Sequence, residues 1–205
     1  MLLERLGTQL HDLGLPPDEE IGLICATLKE AWMQPPDGQS FATGAERAAE
    51  LARIIESLWG TLGRPCSERA VDVALTYAER RRRAFDPAQS VLVHGDAHQW
   101  NILSAPGSRT GFKLIDPDGA FAERAFDLAI SMREWGSVTP TGDPLQLGRD
   151  RCRMLAEFTG VEQQLNWEWG VIQCVSNGLL LPQIGMQETA AVAFAMVDAW
   201  AARSG

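Results

Sequence analysis

Apolar residues in the first part of the chain recur at intervals of three and four, as on one face of a helix. This spacing predicts three helices, over residues 16–32, 43–59 and 67–83. The first opens with two prolines and a run of acidic residues, which suit the N-terminal turn of a helix. The second opens with Thr43 and Glu46 at the spacing of a capping box, so its start is well defined.

The pattern changes at Val91, where short apolar runs alternate with polar breaks. Strands are predicted over residues 91–93, 101–103 and 112–115, with a glycine- and proline-containing turn before the last of them. The chain is therefore expected to be α+β and mainly α, with a small β hairpin set into a helical domain. The helical spacing then returns and predicts four more helices, near residues 126–135, 145–159, 167–181 and 187–202.

The composition is that of a globular protein and restricts its partners. Hydrophobic residues make up 45% of the 205 residues, which is ordinary for a folded chain. The formal net charge of -9 disfavours nucleic acid and anionic membrane surfaces, because both require cationic patches. An acidic chain would instead suit a small cationic ligand.

The cysteines and the apolar tracts indicate a cytoplasmic protein with no membrane partner. The four cysteines are widely spaced, which favours reduced thiols over a disulfide framework. The N-terminus reaches the acidic Glu4 at once and has no apolar signal-peptide region. The longest apolar tract, residues 189–202, is too short to span a bilayer and contains Asp198.

The polar residues that break the strand pattern have the chemistry of a phosphoryl-transfer site. Asp96 follows the first predicted strand, Asn101 begins the second and Asp116 ends the third. Because the ends of short adjacent strands can meet at one edge, these side chains would surround one small volume. Carboxylate and amide oxygens suit Mg²⁺ shared with substrate phosphates. The carboxylate of Asp96 would then accept a proton from an attacking hydroxyl.

Other interpretations of the same residues are weaker. Asp and Asn are common at strand ends, where they bond to the local backbone, but three at this spacing favour a functional site. A closed zinc site would lack ligands, because His11 is the one histidine besides His94 and His98, and the cysteines have no CxxC spacing. The chain has no GxSxG turn and no Cys–His pairing pattern, so acyl transfer has little support.

Two motifs together resemble the catalytic and metal-binding loops of kinase-like phosphotransferases. The first is HGD at residues 94–96 with Asn101 five residues after the aspartate, and the second is LID at residues 114–116. The sequences IDPDG at residues 115–119 and ERAFDLA at residues 123–129 resemble the aminoglycoside phosphotransferase family, in its streptomycin and hydroxyurea kinase branch.

This resemblance implies a role for each residue of the two motifs. Asp96 resembles the catalytic base, and Asn101 and Asp116 resemble the ligands of Mg²⁺, with ATP as the co-substrate. His94 resembles a residue that shapes the loop, and Asp127 resembles a buried aspartate that braces the loop from the following helix.

The resemblance also implies the overall fold and the surroundings of the site. Residues 7–205 would form a kinase-like C-terminal lobe that binds the acceptor. His98 and Asp118 would lie beside the substrate and the metal, or face solvent.

One part of the family pattern is missing from the sequence. The family also binds ATP with an N-terminal β lobe that has a glycine-containing phosphate loop and a strand lysine. This chain has no GxGxxG sequence, and Lys29 and Lys113 are its lysines. Residues 1–6 resemble the hinge strand that follows that lobe, which would place Glu4 and Leu6 at the nucleotide. We therefore expect a chain that begins at the hinge, transfers little phosphate by itself and self-associates through an exposed lobe interface.

The functional hypothesis is an ATP-dependent phosphotransferase that acts on a hydroxyl of a small cationic molecule. An aminoglycoside related to streptomycin, or hydroxyurea, is the acceptor that the resemblance implies, with antibiotic resistance as the consequence. The alternative is a non-catalytic remnant of a kinase lobe that binds a small molecule or a partner.

Two further sets of residues are interpreted as structural. The four arginines at residues 80–83 are expected to form a solvated last helical turn, which the helix dipole favours. The tryptophans are expected to pack in the core, including Trp100 within the polar loop.

Overall fold

The computed structural model describes residues 4–136 and 140–202. These residues fold into seven α-helices and four short strands, which confirms the α+β, mainly helical class. The helices are α1 (Pro17–Ala31), α2 (Gly44–Thr61), α3 (Glu68–Arg83), α4 (Ala125–Arg133), α5 (Pro144–Thr159), α6 (Gln163–Leu180) and α7 (Gln187–Ala202). The strands are β1 (Val91–Val93), β2 (Ile102–Ser104), β3 (Phe112–Leu114) and β4 (Ala120–Ala122).

Side-chain caps define where several helices begin. At the start of α2, the N–H of Glu46 donates to Thr43 Oγ1 at 3.2 Å and the N–H of Thr43 donates to Glu46 Oε2 at 2.7 Å. This reciprocal pair confirms the predicted capping box. Ser67 caps α3 and Asp143 caps α5 in the simpler way, with one side-chain oxygen accepting a backbone N–H.

Helix α6 lies at the centre of the fold and packs against α2, α3, α4, α5 and α7. It is buried over most of its surface, as expected for a helix that is surrounded by others. Gly170 allows α4 to approach closely, because a Cβ at this position would lie 2.8 Å from the Cβ of Met132. The contact fixes the position of α4, whose ends reach the candidate active site.

The strands form two separate antiparallel pairs rather than the single predicted hairpin. β2 pairs with β3, as the sequence pattern indicated, but β1 pairs with β4. Strand β4 was missed because its three residues, Ala-Phe-Ala, have no strand pattern of their own and become a strand by pairing with β1. The two pairs are joined by the loops at residues 94–101 and 115–119, so the site lies between the sheets.

The segment that resembles a hinge strand, residues 1–6, is described only in part. Residues 1–3 lie outside the described residues, and residues 4–6 form no strand. Backbone pairing with β2 begins instead at Gly7, whose N–H donates to Ser104 O at 2.8 Å. Glu4 forms an ion pair with Lys113 of β3, and Leu6 is half-buried. The segment therefore lies along the β2–β3 hairpin, and its predicted hinge role stays a prediction.

The four arginines at residues 80–83 do not all lie in a solvated turn. Arg81 is buried, and its Nε lies 2.7 Å from Oε2 of the buried Glu168 on α6. Arg80 lies 2.5 Å from the other oxygen of Glu168. The structural prediction is confirmed for Arg82 and Arg83, which pair with Glu79 at the surface.

Among the described residues, none of the helices combines the length and apolar character that crossing a bilayer requires. All four cysteines are buried with free thiols, in agreement with their wide spacing. Burial raises the pKa of Cys25, Cys152 and Cys174 to about 12, so these thiols are unreactive packing groups.

Candidate active site

Two loops carry the residues that the sequence singled out, and backbone hydrogen bonds hold these loops together. The N–H of Ile115 donates to Asn101 O at 2.9 Å, and the N–H of Gly119 donates to His94 O at 3.0 Å. The loop at residues 94–101 and the loop at residues 115–119 are thus bonded at both ends. This brings the two predicted motifs to one place.

His94 joins the two loops through its ring. Its Nε2–H donates to Ile115 O at 2.9 Å, and its Nδ1 accepts the backbone N–H of Asp96 at 3.2 Å. This pair of partners requires the neutral tautomer with the proton on Nε2, because a carbonyl accepts and an N–H donates. The ring is buried and ties the loop at Asp96 to the second loop at Ile115, which fits the loop-shaping role that the resemblance implies.

Asp127, in the first turn of α4, holds the start of the same loop. Its buried carboxylate accepts the N–H of Gly95 at 2.7 Å and the N–H of His94 at 3.0 Å. The indole N–H of Trp32 is a third donor, at 2.9 Å. Burial raises the pKa of Asp127, and the three donors oppose that shift. The sequence assigned Trp32 to the core and gave no sign of this contact with the loop.

Gly95 is required by the close approach of the two loops. Its φ of 87° lies in the left-handed region, which residues with a side chain rarely adopt. A Cβ at this position would also lie 3.0 Å from the Cβ of Asp118. A larger residue would therefore separate the loop that carries Asp96 from the loop that carries Asp116.

Asp96 is held by partners on both oxygens of its carboxylate. Oδ1 lies 2.5 Å from Nη2 of Arg133, the last residue of α4, and Oδ2 lies 3.2 Å from Nε2 of His98. Asn101 Nδ2 donates to Oδ2 at 3.3 Å. Burial alone would raise the pKa of Asp96, but His98 and Arg133 outweigh it and lower that pKa to about 2. The carboxylate is thus ionised at neutral pH and fixed in orientation.

The sequence missed Arg133, and it offered no signal for it. A basic residue in the last turn of a helix is normally explained by the helix dipole. Only the packing of α4 beneath the loop brings this guanidinium to Asp96, which is 37 residues away in sequence.

Asn101 and Asp116 provide donors that fit Mg²⁺. Asn101 uses its Nδ2 to donate to the backbone O of Asp96 at 3.0 Å and to its carboxylate, which leaves the amide oxygen to face a ligand. Asp116 is exposed, and its carboxylate has no ion-pair or hydrogen-bond partner within residues 4–136 and 140–202. Amide and carboxylate oxygens are the ligand types that Mg²⁺ takes, together with phosphate oxygens.

No group of three or more His, Cys, Asp or Glu side chains in the described part of the chain has the arrangement of a metal site. Asp118 is exposed on the second loop.

The aromatic residues beside the loop differ from the sequence-based expectation. Trp100 is 39% exposed, so its assignment to the core was wrong. Its ring lies 4.7 Å from that of His11 and 5.5 Å from that of His98. His98 therefore contacts Asp96 on one side and an exposed tryptophan on the other. The reason for the error is that the loop turns outward at residues 99–101, which its short polar sequence does not reveal.

An acidic cavity of about 500 Å³ lies next to Asp96. Residues 97–99, which follow the aspartate, form one side of it, and α1, the C-terminal end of α4 and α5, with Leu147 and Arg151, form the others. Three carboxylates line it, and burial raises the pKa of one of them, Glu20. Ser131, on α4, contributes a buried hydroxyl that has no hydrogen-bond partner in the described structure. The carboxylates are those of Asp18, Glu20 and Glu134.

Comparisons with known proteins identify the family. A comparison with curated proteins finds no match to this chain. The family model described as aminoglycoside/hydroxyurea antibiotic resistance kinase matches residues 1–179, which include both loops of the site and Arg133. The match covers most of the chain, so this protein belongs to the aminoglycoside/hydroxyurea antibiotic resistance kinase family.

Proposed function

We propose that this protein transfers the γ-phosphate of ATP, with Mg²⁺, to a hydroxyl of a small cationic molecule. Its membership of a kinase family supports phosphotransfer in general terms. The observation that carries the finer proposal is the position of Asp96, fixed on both oxygens beside an acidic cavity. An aminoglycoside related to streptomycin, or hydroxyurea, is the acceptor class that we infer.

Asp96 would act on the acceptor hydroxyl. A carboxylate whose pKa is about 2 is a weak base, so it contributes mainly by orienting the hydroxyl and by accepting its proton late in the reaction. Each oxygen has lone pairs beyond those that Arg133 and His98 occupy. The guanidinium of Arg133 holds the carboxylate at a fixed angle, and such positioning is a large part of kinase catalysis.

Asn101 and Asp116 would hold the metal. When bound, Mg²⁺ supplies charge that stabilises the phosphate oxygens during transfer. The hydrogen bond between Ile115 and the carbonyl of Asn101 keeps the two candidate ligands on adjoining loops. Asp116 has a positive φ of 57°, a conformation that aspartate tolerates better than most residues.

The acidic cavity would hold the acceptor. Three carboxylates on α1 and at the end of α4 outnumber the one lining arginine, Arg151, and the resulting negative potential attracts an amine or guanidine group. The unpartnered hydroxyl of Ser131 provides a hydrogen-bonding group for a polar acceptor. The volume of the acidic cavity, about 500 Å³, is within the usual range for small-molecule sites.

A phosphate-transfer assay with ATP and Mg²⁺ tests the proposal. Streptomycin, hydroxyurea and an uncharged polyol are offered to the wild-type protein and to Asp96→Asn. The proposal requires transfer to at least one of the first two compounds and none to the polyol, whereas negligible transfer by the wild type would agree with the sequence-based expectation that the chain transfers little phosphate by itself. Loss of the oriented carboxylate should lower turnover by about 10² to 10⁴ with little change in acceptor binding.

Calorimetric binding of the same compounds distinguishes the outcomes. Acceptor binding without transfer in the wild type would favour the non-catalytic alternative, a kinase-related lobe that binds a cationic molecule. Transfer that survives Asp96→Asn would place the base elsewhere.

A further inference from the structure

A second cavity lies on the opposite side of α5 from the candidate active site. It measures about 890 Å³, opens to solvent and is bounded by α3, α5 and α6. Leu147 and Arg151 of α5 line the cavity beside Asp96, whereas Arg149 and Arg153 line this one. No residue lines both cavities, so this space is separate from the proposed kinase site.

The rim of this cavity is cationic, although the protein has a formal net charge of -9. Four arginines surround it, of which Arg80 pairs with Glu168 and Arg153 pairs with Asp150, and Asp72 is the one carboxylate among its lining residues. Arg149 is exposed and forms no ion pair within the described chain, so its charge is available to a ligand. The arginines are Arg69, Arg80, Arg149 and Arg153.

The N-terminus of α6 adds to the positive potential. Gln163 and Gln164, the first residues of this 18-residue helix, line the cavity. The N-cap residue, Glu162, makes no side-chain capping hydrogen bond. The first backbone N–H groups of a helix have no partner inside the helix, and together with the helix dipole they favour an anion.

Aromatic side chains line the same space. Trp167 and Tyr77 are both half-buried and present ring surface to it. The ring of Trp167 is held from behind by Trp200, at a centroid distance of 5.1 Å. The guanidinium of Arg80 lies 5.4 Å from the centre of the Tyr77 ring, so one of the rim charges is already stacked on an aromatic surface.

We propose that this cavity binds a small aromatic anion, of the class of aryl phosphate esters. The phosphate would lie between Arg149, which can form charge-assisted hydrogen bonds, and the N-terminus of α6. Arg153, which already pairs with Asp150 at 2.6 Å, would lie beside it. The aromatic ring would pack against Trp167 and Tyr77. The cavity volume of about 890 Å³ is within the range of known small-molecule sites.

Titration calorimetry with phenyl phosphate, without ATP or Mg²⁺, tests this proposal. We expect saturable binding that weakens as salt concentration rises. Arg149→Glu should weaken it by about tenfold or more, because a charge-assisted hydrogen bond to phosphate is replaced by repulsion. Arg53→Glu is the matched control: Arg53 is also exposed, lies on α2 outside the cavity, and undergoes the same charge change. The affinity of Arg53→Glu for phenyl phosphate should stay within about twofold of that of the wild type, because salt screens a charge that is distant from the ligand.

Two further readouts locate the ligand and test its aromatic part. Phenyl phosphate should shift the amide signals of Gln163 and Gln164 and the indole signal of Trp167 in a heteronuclear NMR spectrum. Inorganic phosphate should bind more weakly than phenyl phosphate, because it has no ring to pack. Equal affinity for the two compounds, equal effects of Arg149→Glu and Arg53→Glu, or shifts confined to the loop around Asp116 would each overturn the proposal.

Discussion

Nη2 of Arg133 lies 2.5 Å from Oδ1 of Asp96. Arg133 is the last residue of α4, and Asp127, which braces the loop before Asp96, lies in the first turn of the same helix. One nine-residue helix thus positions the candidate base from both ends. Because α4 is packed against α6 without a side chain at Gly170, this geometry depends on the core of the fold.

Replacing Arg133 by glutamine should raise the pKa of Asp96 from about 2 towards its ordinary value of 3.8. A carboxylate with a depressed pKa stays ionised to lower pH, so losing the cation moves its protonation to higher pH. The acid limb of activity should shift upward in the same direction, and turnover should fall by about tenfold to a hundredfold through misorientation.

A carbon-detected NMR titration of the Asp96 carboxyl measures this shift without an activity assay. Arg133→Lys keeps the charge and should raise the pKa less than glutamine does. An unchanged pKa in Arg133→Gln would show that His98 alone keeps the carboxylate ionised.

Asp127→Asn should destabilise the protein by about 3 kcal/mol, because the new amide N–H₂ would face the N–H of His94 or Gly95 and leave buried donors unpaired. Trp32→Phe removes one donor and leaves the two backbone donors on the carboxylate, so it should cost only about 1 kcal/mol. Urea unfolding of both variants compares them. An equal or larger loss in Trp32→Phe would mean that packing of the indole, rather than the buried carboxylate, holds the loop.

Glu168→Gln should lower the free energy of unfolding by about 3 kcal/mol. The substitution leaves the buried Arg81 with only its longer contact to Glu123, at 3.5 Å, and breaking a buried ion pair from one side is strongly unfavourable. Glu79→Gln is the control. Glu79 forms surface ion pairs with Arg82 and Arg83, and its substitution should have little effect on stability. Similar losses in the two variants, measured by chemical denaturation, would contradict this difference.

Gly170→Ala should destabilise the fold by about 1 to 3 kcal/mol, because its methyl group would overlap Met132 and push α4 away from α6. Gly60→Ala on α2 is the matched control, since a Cβ there meets no atom within 4 Å. It should stabilise the protein by up to about 1 kcal/mol through helix propensity. Thermal unfolding of the two variants measures the change in stability of each. A stabilised Gly170→Ala would show that α4 and α6 are not in tight contact.

Local order along the chain was predictable from the sequence because its causes are local. The capping box at Thr43 and Glu46, the helical spacing of apolar residues and the interval between Asp96 and Asn101 all act within a few residues. The same intervals identified the two loops that carry the resemblance to the family, and the family model confirms that the chain belongs to it.

Strand pairing was predictable only for the hairpin of β2 and β3, whose partners follow each other closely. The pairing of β1 with β4 joins residues about thirty positions apart, and β4 has no pattern of its own. Its three residues become a strand because β1 and the backbone of Ala42 are placed on either side of it.

His98 and Asn101 reach Asp96 from nearby positions, but other contacts that fix the buried charges are distant in sequence. Arg133 reaches Asp96, Trp32 reaches Asp127 and Arg81 reaches Glu168 only after the helices have packed. Each of these residues also has an ordinary local explanation, as a helix-end cation or a core aromatic, so its own position in the sequence gives no reason to expect a partner. The sequence therefore determined the helices, their caps and the chemistry of the two loops, whereas tertiary packing decided which buried charges and donors meet, since a buried polar group is stable only beside a partner that the fold itself supplies.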